Sequence, residues 1–222
     1  MDVTATLQFL AVAAIPLLFA ITAHEAAHGW VASLLGDRTA QMLGRVTFNP
    51  LRHIDPVGTV LVPIATMLLA GFVFGWAKPV PVNWRNLHKP RRDMALVALA
   101  GPAANLVMAL FWGLVVNIAL FIGPSSDWIA LPLSLMGALG VLVNLLLMVL
   151  NLVPLLPLDG GRVLSSLLPP AWSARFSRLE PYGLIILVLL IVFGFLGSVI
   201  LPVVDVLMRL IPGGLAALSL LR

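Results

Sequence analysis

The stretch His24-Glu25-Ala26-Ala27-His28 places two imidazoles four positions apart, with a carboxylate next to the first. On a helix, positions i and i+4 lie on one face, so both histidines can bind the same metal ion. Glu25 projects about 100° away from His24, where it can reach a water molecule beside the metal without being a ligand. The spacing therefore predicts a zinc centre of the hydrolytic type, with Glu25 as the general base.

These residues lie in a very apolar part of the chain. Between Val3 and Gly36, Glu25 is the only formally charged side chain. The run is long enough to cross a bilayer as a helix. A carboxylate without a partner is costly there, so two further interpretations are weaker: that the three side chains occur together by chance, or that they pair only with one another.

Asp159 is the candidate for a third ligand, because a catalytic zinc site usually has three protein ligands and one open position. The chain has no cysteine, so this ligand must be a histidine or a carboxylate. Asp159 ends a charge-free stretch that starts at Trp128, and the preceding Pro154 and Pro157 favour an unwound segment. The alternative is that Asp159 caps a helix starting at Gly160.

The composition is that of an integral membrane protein, with 61% hydrophobic residues, 10% charged residues and a mean hydropathy of +1.08. We predict an all-α polytopic membrane protein with about five to six hydrophobic segments, a three-helix catalytic core and short membrane-associated β-strands. These form a single domain over residues 1–222. The 13 Lys and Arg residues exceed the 9 Asp and Glu residues, which favours basic loops beside a lipid bilayer and no nucleic-acid partner.

The apolar runs predict four helices and one irregular region. The helices cover residues 6–35, 92–122, 128–153 and 182–200, with a short tail after the last and a strand and re-entrant region at 36–92. Basic loops flank both ends of Val57–Trp76, so this segment is predicted to be re-entrant or a broken hairpin. The alternating prolines of PVPVN at 79–83 predict an extended edge strand, and a second strand-like stretch covers Arg45–Phe48.

Three motifs resemble those of the site-2 protease family of intramembrane zinc metalloproteases. They are HEAAH in the first helix, GPAAN at 101–105 and NLVPLLPLDGG at 151–161. FNPLRHIDPVGT and WAKPVPVN are similar to its compact prokaryotic branch, which has no PDZ domain, and the resemblance extends from about residue 20 to residue 200. It implies one Zn²⁺ per chain, held by His24, His28 and Asp159, with Glu25 as the catalytic glutamate.

Further polar residues have two interpretations each. The resemblance suggests that Asn151 donates to the oxyanion or holds the substrate backbone, whereas an intramembrane asparagine also commonly bonds a neighbouring helix. Asn105 can contact substrate, or it can lock a helix crossing beside Gly101. His53 can stabilise the oxyanion, or it can make local bonds within its loop. Val80 and Val82 lie in the predicted edge strand, which could bind an unwound substrate by β-augmentation.

The predicted activity is that of a zinc-dependent intramembrane endopeptidase acting on transmembrane protein or peptide substrates. Its location would be the prokaryotic cytoplasmic membrane, with the active site toward the cytosol. One alternative is a membrane-anchored zincin with a cytosolic active site, but here the motif lies in an apolar helix. The other is a metal transporter or a non-catalytic zinc-binding membrane protein. A transporter needs polar residues along a path through the bilayer, whereas here they cluster at one end.

Overall fold

The computed structural model describes residues 3–70, 75–123 and 126–221, and these form ten α-helices. In chain order they are α1 (Val3–Leu34), α2 (Thr39–Met42), α3 (Val62–Ala70), α4 (Pro90–Ile122), α5 (Asp127–Asn151), α6 (Asp159–Leu167), α7 (Pro170–Ser177), α8 (Glu180–Val192), α9 (Leu201–Leu210) and α10 (Gly214–Leu220). Short 3₁₀ helices lie at Pro50–Arg52 and Trp84–Asn86, and π-helical turns lie at Pro56–Leu61 and Leu196–Ile200.

Three of these helices contain segments long and apolar enough to cross a membrane: Val12–Leu34 in α1, Pro90–Ile122 in α4 and Trp128–Asn151 in α5. They pack on one another, and α6 packs against α4. The predicted helices at 6–35, 92–122 and 128–153 are confirmed to within a few residues. The described residues hold three candidate spans, or four if a bent pair near the C-terminus is one span, and a shorter apolar helix at Pro56–Leu68. The predicted five to six hydrophobic segments are not confirmed.

The apolar core lies where α4 and α5 meet α9 and α10. Val116, Val141, Leu145, Val204 and Met208 are each less than 2% exposed there. Large apolar side chains also cover the outer surface, where a lipid bilayer would surround them. This distribution fits a membrane protein, because lipid tails are as apolar as the side chains that face them.

The predicted C-terminal helix at 182–200 is wrong as a single straight element. Helix α8 ends at Val192, and Gly194 follows with a φ of +88°. A left-handed residue of this kind ends a helix, and glycine adopts it without a steric penalty. The chain restarts as a π-helical turn leading into α9, and the segment Gly197–Leu210 is bent by 70° from α8.

The strands predicted at Arg45–Phe48 and at 78–83 are not formed, and no other strand occurs within residues 3–70, 75–123 and 126–221. Pro79 and Pro81 have no N–H group and cannot contribute to a ladder on that side. Several of the remaining backbone groups of this segment bind side chains, as at Val80, whose N–H donates to Glu25, and at Lys78, whose carbonyl accepts from Arg45. A segment whose backbone is satisfied in this way has no need of a partner strand.

The two ends of the apolar segment Val57–Trp76 lie side by side. The Trp76 N–H donates to the Gly58 carbonyl at 3.0 Å, and the Thr59 hydroxyl donates to the Trp76 carbonyl at 2.9 Å. Just outside them, the Lys78 N–H donates to the His53 carbonyl at 2.9 Å. A chain that returns to its starting point does not cross the membrane between the two, which supports the predicted hairpin. Its residues 71–74 lie outside the described part of the chain.

Candidate metal centre

Three side chains from two distant helices converge at one point. Helix α1 places His24 and His28 on the same face, and α6 begins at Asp159 opposite them. The two Nε2 atoms are 3.0 Å apart, and Asp159 Oδ2 lies 3.1 Å from His24 Nε2 and 3.3 Å from His28 Nε2. Ligands about 2.0–2.1 Å from a tetrahedral zinc ion are roughly 3.3 Å from each other, so the spacing fits such an ion.

The other nitrogen of each imidazole is already bound. His24 Nδ1 lies 2.6 Å from Asn105 Oδ1, and His28 Nδ1 lies 2.7 Å from the Val97 carbonyl oxygen. Both partners are acceptors, so in each neutral ring Nδ1 carries the proton and Nε2 keeps its lone pair. This is the arrangement in which a histidine binds a metal through Nε2 while a neighbouring group orients its ring.

The convergence of these atoms fits a bound cation. Two ring nitrogens 3.0 Å apart cannot both carry a proton, so at least one lone pair points at its neighbour. Asp159 Oδ2 is buried and accepts no hydrogen bond within the described part of the chain. A metal ion would satisfy all three atoms at once, and the donor set of two imidazoles and a carboxylate suits zinc. The N-cap position of α6 is occupied by Leu158, and Asp159 is the first residue of the helix itself. The alternative interpretation of Asp159 as a helix cap is therefore wrong.

Glycine 101 on α4 provides the room for this site. A Cβ atom at this position would lie 2.5 Å from His24 Cε1 and 2.5 Å from His28 Nε2. Any larger residue would therefore collide with both imidazoles or force α4 away from α1. The first position of GPAAN must therefore be glycine, because α4 approaches His24 and His28 closely there.

Asn105 on α4 contacts the candidate ligand His24 and two further groups. It is fully buried, its Oδ1 faces His24, and its Nδ2 donates to the Ala20 carbonyl at 3.2 Å and to Asn144 Oδ1 at 3.0 Å. These bonds support the helix-locking interpretation, and a contact of Asn105 with substrate stays a prediction. Sequence analysis did not single out Asn144, which is fully buried in the structure. The usable signal was an asparagine within a long apolar helix, because a polar side chain there needs a partner.

Glu25 lies beside the cluster and is partly buried. Its Oε2 accepts a hydrogen bond of 2.7 Å from the Val80 N–H, in the segment between α3 and α4. A carboxylate that accepts a charge-assisted hydrogen bond from backbone is held in one orientation. The side chain is thus placed next to the candidate ligands without being one of them, as the spacing of the motif predicts.

Comparison with known proteins decides the family. A Bacillus subtilis protein named "Putative zinc metalloprotease YwhC" is 41% identical over 189 residues, which is 84% of this chain and 82% of that protein. The chain belongs to the site-2 protease family. No protein-family model matches it, and no solved structure matches it.

A second relative extends the similarity within the family. A Mycolicibacterium smegmatis protein named "Putative zinc metalloprotease Rip2" is 31% identical over 177 residues, covering 79% of this chain and 64% of that protein. This chain therefore spans less than two thirds of the length of that relative. The names of these relatives and the His24–His28–Asp159 group together identify zinc as the cofactor.

Asn151 and His53, two further candidate residues of this site-2 protease family member, make hydrogen bonds within their own segments. Asn151 Nδ2 donates to the Leu147 carbonyl at 2.9 Å within α5, and among the described residues it donates to no neighbouring helix. His53 is 2% exposed and its Nε2 lies 3.0 Å from the Thr47 carbonyl, which is the local loop bond of the second interpretation. This bond supports the local interpretation of His53, and its role at an oxyanion stays a prediction.

Val80 and Val82 both turn their side chains toward the protein. Val80 is 8% exposed, and Val82 packs against a small core of Ala32, Leu87 and Val97. The N–H of Val80 is bound to Glu25, so it is not available to a substrate strand. Substrate binding by β-augmentation at Val80 and Val82 stays a prediction.

Proposed function

We propose that the chain is a zinc-dependent endopeptidase that hydrolyses peptide bonds in or near the transmembrane segments of membrane proteins. The observation that supports this is the position of the ligand cluster. His24 and His28 lie within the candidate span Val12–Leu34, and Asp159 follows shortly after the candidate span that ends at Asn151. A hydrolytic site at this depth acts on substrates that enter from the bilayer.

The chemistry follows from the residues around the metal. Zinc, held by His24, His28 and Asp159, would polarise the scissile carbonyl and lower the pKa of a water molecule to about 7. Glu25 takes a proton from the attacking water as the new C–O bond forms. Glu25 then gives this proton to the amide nitrogen as the C–N bond breaks. The products are one chain with a new carboxylate and one with a new amino group.

The substrate must expose a carbonyl group to this site. In a transmembrane helix the amides are bonded to one another, so the substrate helix has to unwind locally before cleavage. We therefore propose as substrates transmembrane proteins or peptides with a weak stretch near one membrane surface.

The active site is proposed to open toward the cytosol of a prokaryotic cell. Basic residues lie on either side of the metal-binding motifs, in loops, in short helices and in the first turn of α4. Cytoplasmic connections carry an excess of Lys and Arg. The basic residues are Arg38, Arg45, Arg52, Lys78, Arg85, Lys89, Arg91, Arg92, Arg162, Arg175 and Arg178.

The proposal is tested by comparing the wild type with Glu25→Gln in two ways. Membrane proteomics of cells carrying each form identifies substrates, which accumulate uncut with the variant. The purified proteins are then reconstituted in liposomes with such a substrate. We expect one zinc per chain in both, because Glu25 is not a ligand, and cleavage by the wild type alone. Cleavage by Glu25→Gln would contradict the assignment, and zinc uptake into the liposomes without cleavage would favour a transporter.

A further inference from the structure

The backbone of residues 78–83, called the strap below, is held by charged side chains. Glu25 Oε2 accepts from the Val80 N–H at 2.7 Å. Arg45 Nη2 donates to the Lys78 carbonyl at 2.8 Å and lies 3.4 Å from the Pro79 carbonyl. At the far end, Asp37 Oδ2 accepts from the Asn83 N–H at 2.6 Å. The strap is thus bound along its length to α1, to the loop that follows α1 and to the segment that follows α2.

Asp37 fixes the Asn83 end of the strap. Its side chain is fully buried and also accepts hydrogen bonds from the Thr39 N–H and hydroxyl and from Asn86 Nδ2. Burial raises the pKa of Asp37, but the hydrogen bonds from Thr39, Asn86 and Asn83 outweigh it and hold the pKa below its usual range. The carboxylate is therefore charged at neutral pH and is a firm anchor for the strap.

Arg45 is an unusual side chain for this position. It is 8% exposed, and its Nε is buried with no hydrogen-bond partner in the described part of the chain. No carboxylate in residues 3–70, 75–123 and 126–221 forms an ion pair with it. Burying a cation without a counter-ion is costly. Its guanidinium instead binds the two carbonyls that directly precede the Val80 N–H.

The strap is pressed against α1 one turn after Glu25. A Cβ atom at Gly29 would lie 2.9 Å from Val46 Cγ2 and 3.1 Å from Val80 Cγ1. The absence of a side chain at Gly29 lets Val80 approach the helix closely enough for its N–H to reach Glu25. The contact with Glu25 therefore depends on a backbone position that Arg45 and the packing at Gly29 define together.

We propose that Arg45 is a positioning residue for proteolysis, because it holds the strap so that the Val80 N–H orients the carboxylate of Glu25. This inference rests on the proposed role of Glu25 as the general base. One oxygen of Glu25, Oε2, is held by the strap, and the other, Oε1, is left for proton transfer with water. The strap thereby acts on the catalytic glutamate and not on substrate affinity.

Two pairs of variants test this with a substrate identified by the Glu25→Gln comparison. Val80→Pro removes the N–H that binds Glu25, whereas Val80→Ala keeps it. Arg45→Met removes the contacts to the strap carbonyls, and Arg45→Lys keeps one donor. We expect Val80→Pro and Arg45→Met to lower kcat roughly 10- to 100-fold with KM unchanged, since small misplacements of catalytic groups cost this much. Arg45→Lys should largely keep the wild-type kcat, and Val80→Ala, which keeps the N–H but loses the Cγ1 atom that packs near Gly29, should lose less kcat than Val80→Pro.

Zinc content separates positioning from misfolding. Each variant should bind one zinc per chain, and Arg52→Met, which changes an exposed arginine of the same loop, should match the wild type. If Val80→Pro loses zinc, the Arg45 pair decides the question. A wild-type kcat in Arg45→Met, or a raised KM with unchanged kcat, overturns the inference while the loss of activity in Glu25→Gln still stands. Cleavage by Glu25→Gln itself would instead overturn the proposed function.

Discussion

The side-chain oxygen of Asn105 lies 2.6 Å from His24 Nδ1, so a fully buried amide on α4 sets the orientation of a zinc ligand on α1. The amide is itself oriented by Asn144, whose Nδ2 donates to the Gly140 carbonyl and whose Oδ1 accepts from Asn105 Nδ2. Because Asn144 Nδ2 donates to the Gly140 carbonyl, Asn144 presents its side-chain oxygen to Asn105 Nδ2. Asn105 in turn presents its oxygen to His24 Nδ1. A backbone carbonyl of α5 thus determines which nitrogen of His24 is free to bind zinc.

Removing Asn144 is expected to weaken zinc binding without touching a ligand. Asn144→Leu removes one of the two acceptors of Asn105 Nδ2, and only the Ala20 carbonyl is left to orient the amide that holds His24. We expect zinc affinity to fall roughly 10- to 100-fold, as for other groups that orient metal ligands. The measurement is a zinc titration of the purified protein against a competing chelator. Asn151→Leu, which changes an asparagine bonded only to its own helix in the described residues, should bind zinc as the wild type does, and equal affinities for all three proteins would contradict the role of Asn144.

Adding one methyl group at Gly101 is expected to abolish the zinc site. The Cβ atom of Gly101→Ala would lie 2.5 Å from atoms of both His24 and His28. The imidazoles would have to turn away, and their Nε2 atoms would no longer meet Asp159. Zinc content measured by atomic emission should fall well below one per chain. Gly123→Ala, at the other end of α4, places its Cβ 3.8 Å from the nearest atom and should retain zinc. A fully loaded Gly101→Ala protein would disprove the close approach.

Labelling from the two sides of the membrane should show that the segment Val57–Trp76 does not cross it. The chain contains no cysteine, so single cysteines can be introduced without other changes. Arg52→Cys and Arg85→Cys are at exposed positions before and after the segment, and an impermeant thiol reagent should label both from the same side. Gly123→Cys at the far end of α4 should be labelled only from the other side. Labelling of positions 52 and 85 from opposite sides would mean that the segment spans.

The stabilising effect of Asp37 is expected to depend on pH. Because the folded-state pKa of Asp37 is lowered, its stabilisation is present above the unfolded pKa of about 3.9 and is lost as the pH falls through the folded value. Asp37→Asn should therefore lower the Tm at pH 7, and the difference from the wild type should shrink below about pH 4. Both proteins are measured with excess chelator so that zinc release does not contribute. A difference in Tm that is the same at pH 7 and pH 3 would argue against the charged anchor.

Local chain geometry was sufficient for much of the site. The spacing of His24 and His28 places both imidazoles on one helix face in any α-helix, whatever surrounds it. The long apolar runs similarly predicted α1, α4 and α5, because the energetic cost of polar backbone in a bilayer leaves few alternatives to a helix. Asp159 stood out for the same reason, as a charge that ends an apolar run.

The remaining features depend on which surfaces meet in three dimensions. Sequence could not separate Asp159 as a ligand from Asp159 as a helix cap, because only the packing of α6 against α4 brings it to the histidines. The proline pattern of the strap predicted a strand. In the structure, Arg45 and Glu25 bind backbone groups that a neighbouring strand would otherwise have bound.

The orientation of the ligands was likewise decided by the tertiary structure. Asn105 and Asn144 are far apart in sequence, and their contact exists only because α4 and α5 pack with these two faces together. The sequence by itself determined the metal-binding motif and the helices that carry it, since both follow from local periodicity and the cost of charge in an apolar run. Only the tertiary structure decided which polar groups hold His24 and Glu25 in place, because those hydrogen bonds join helices and loops whose packing no local pattern encodes.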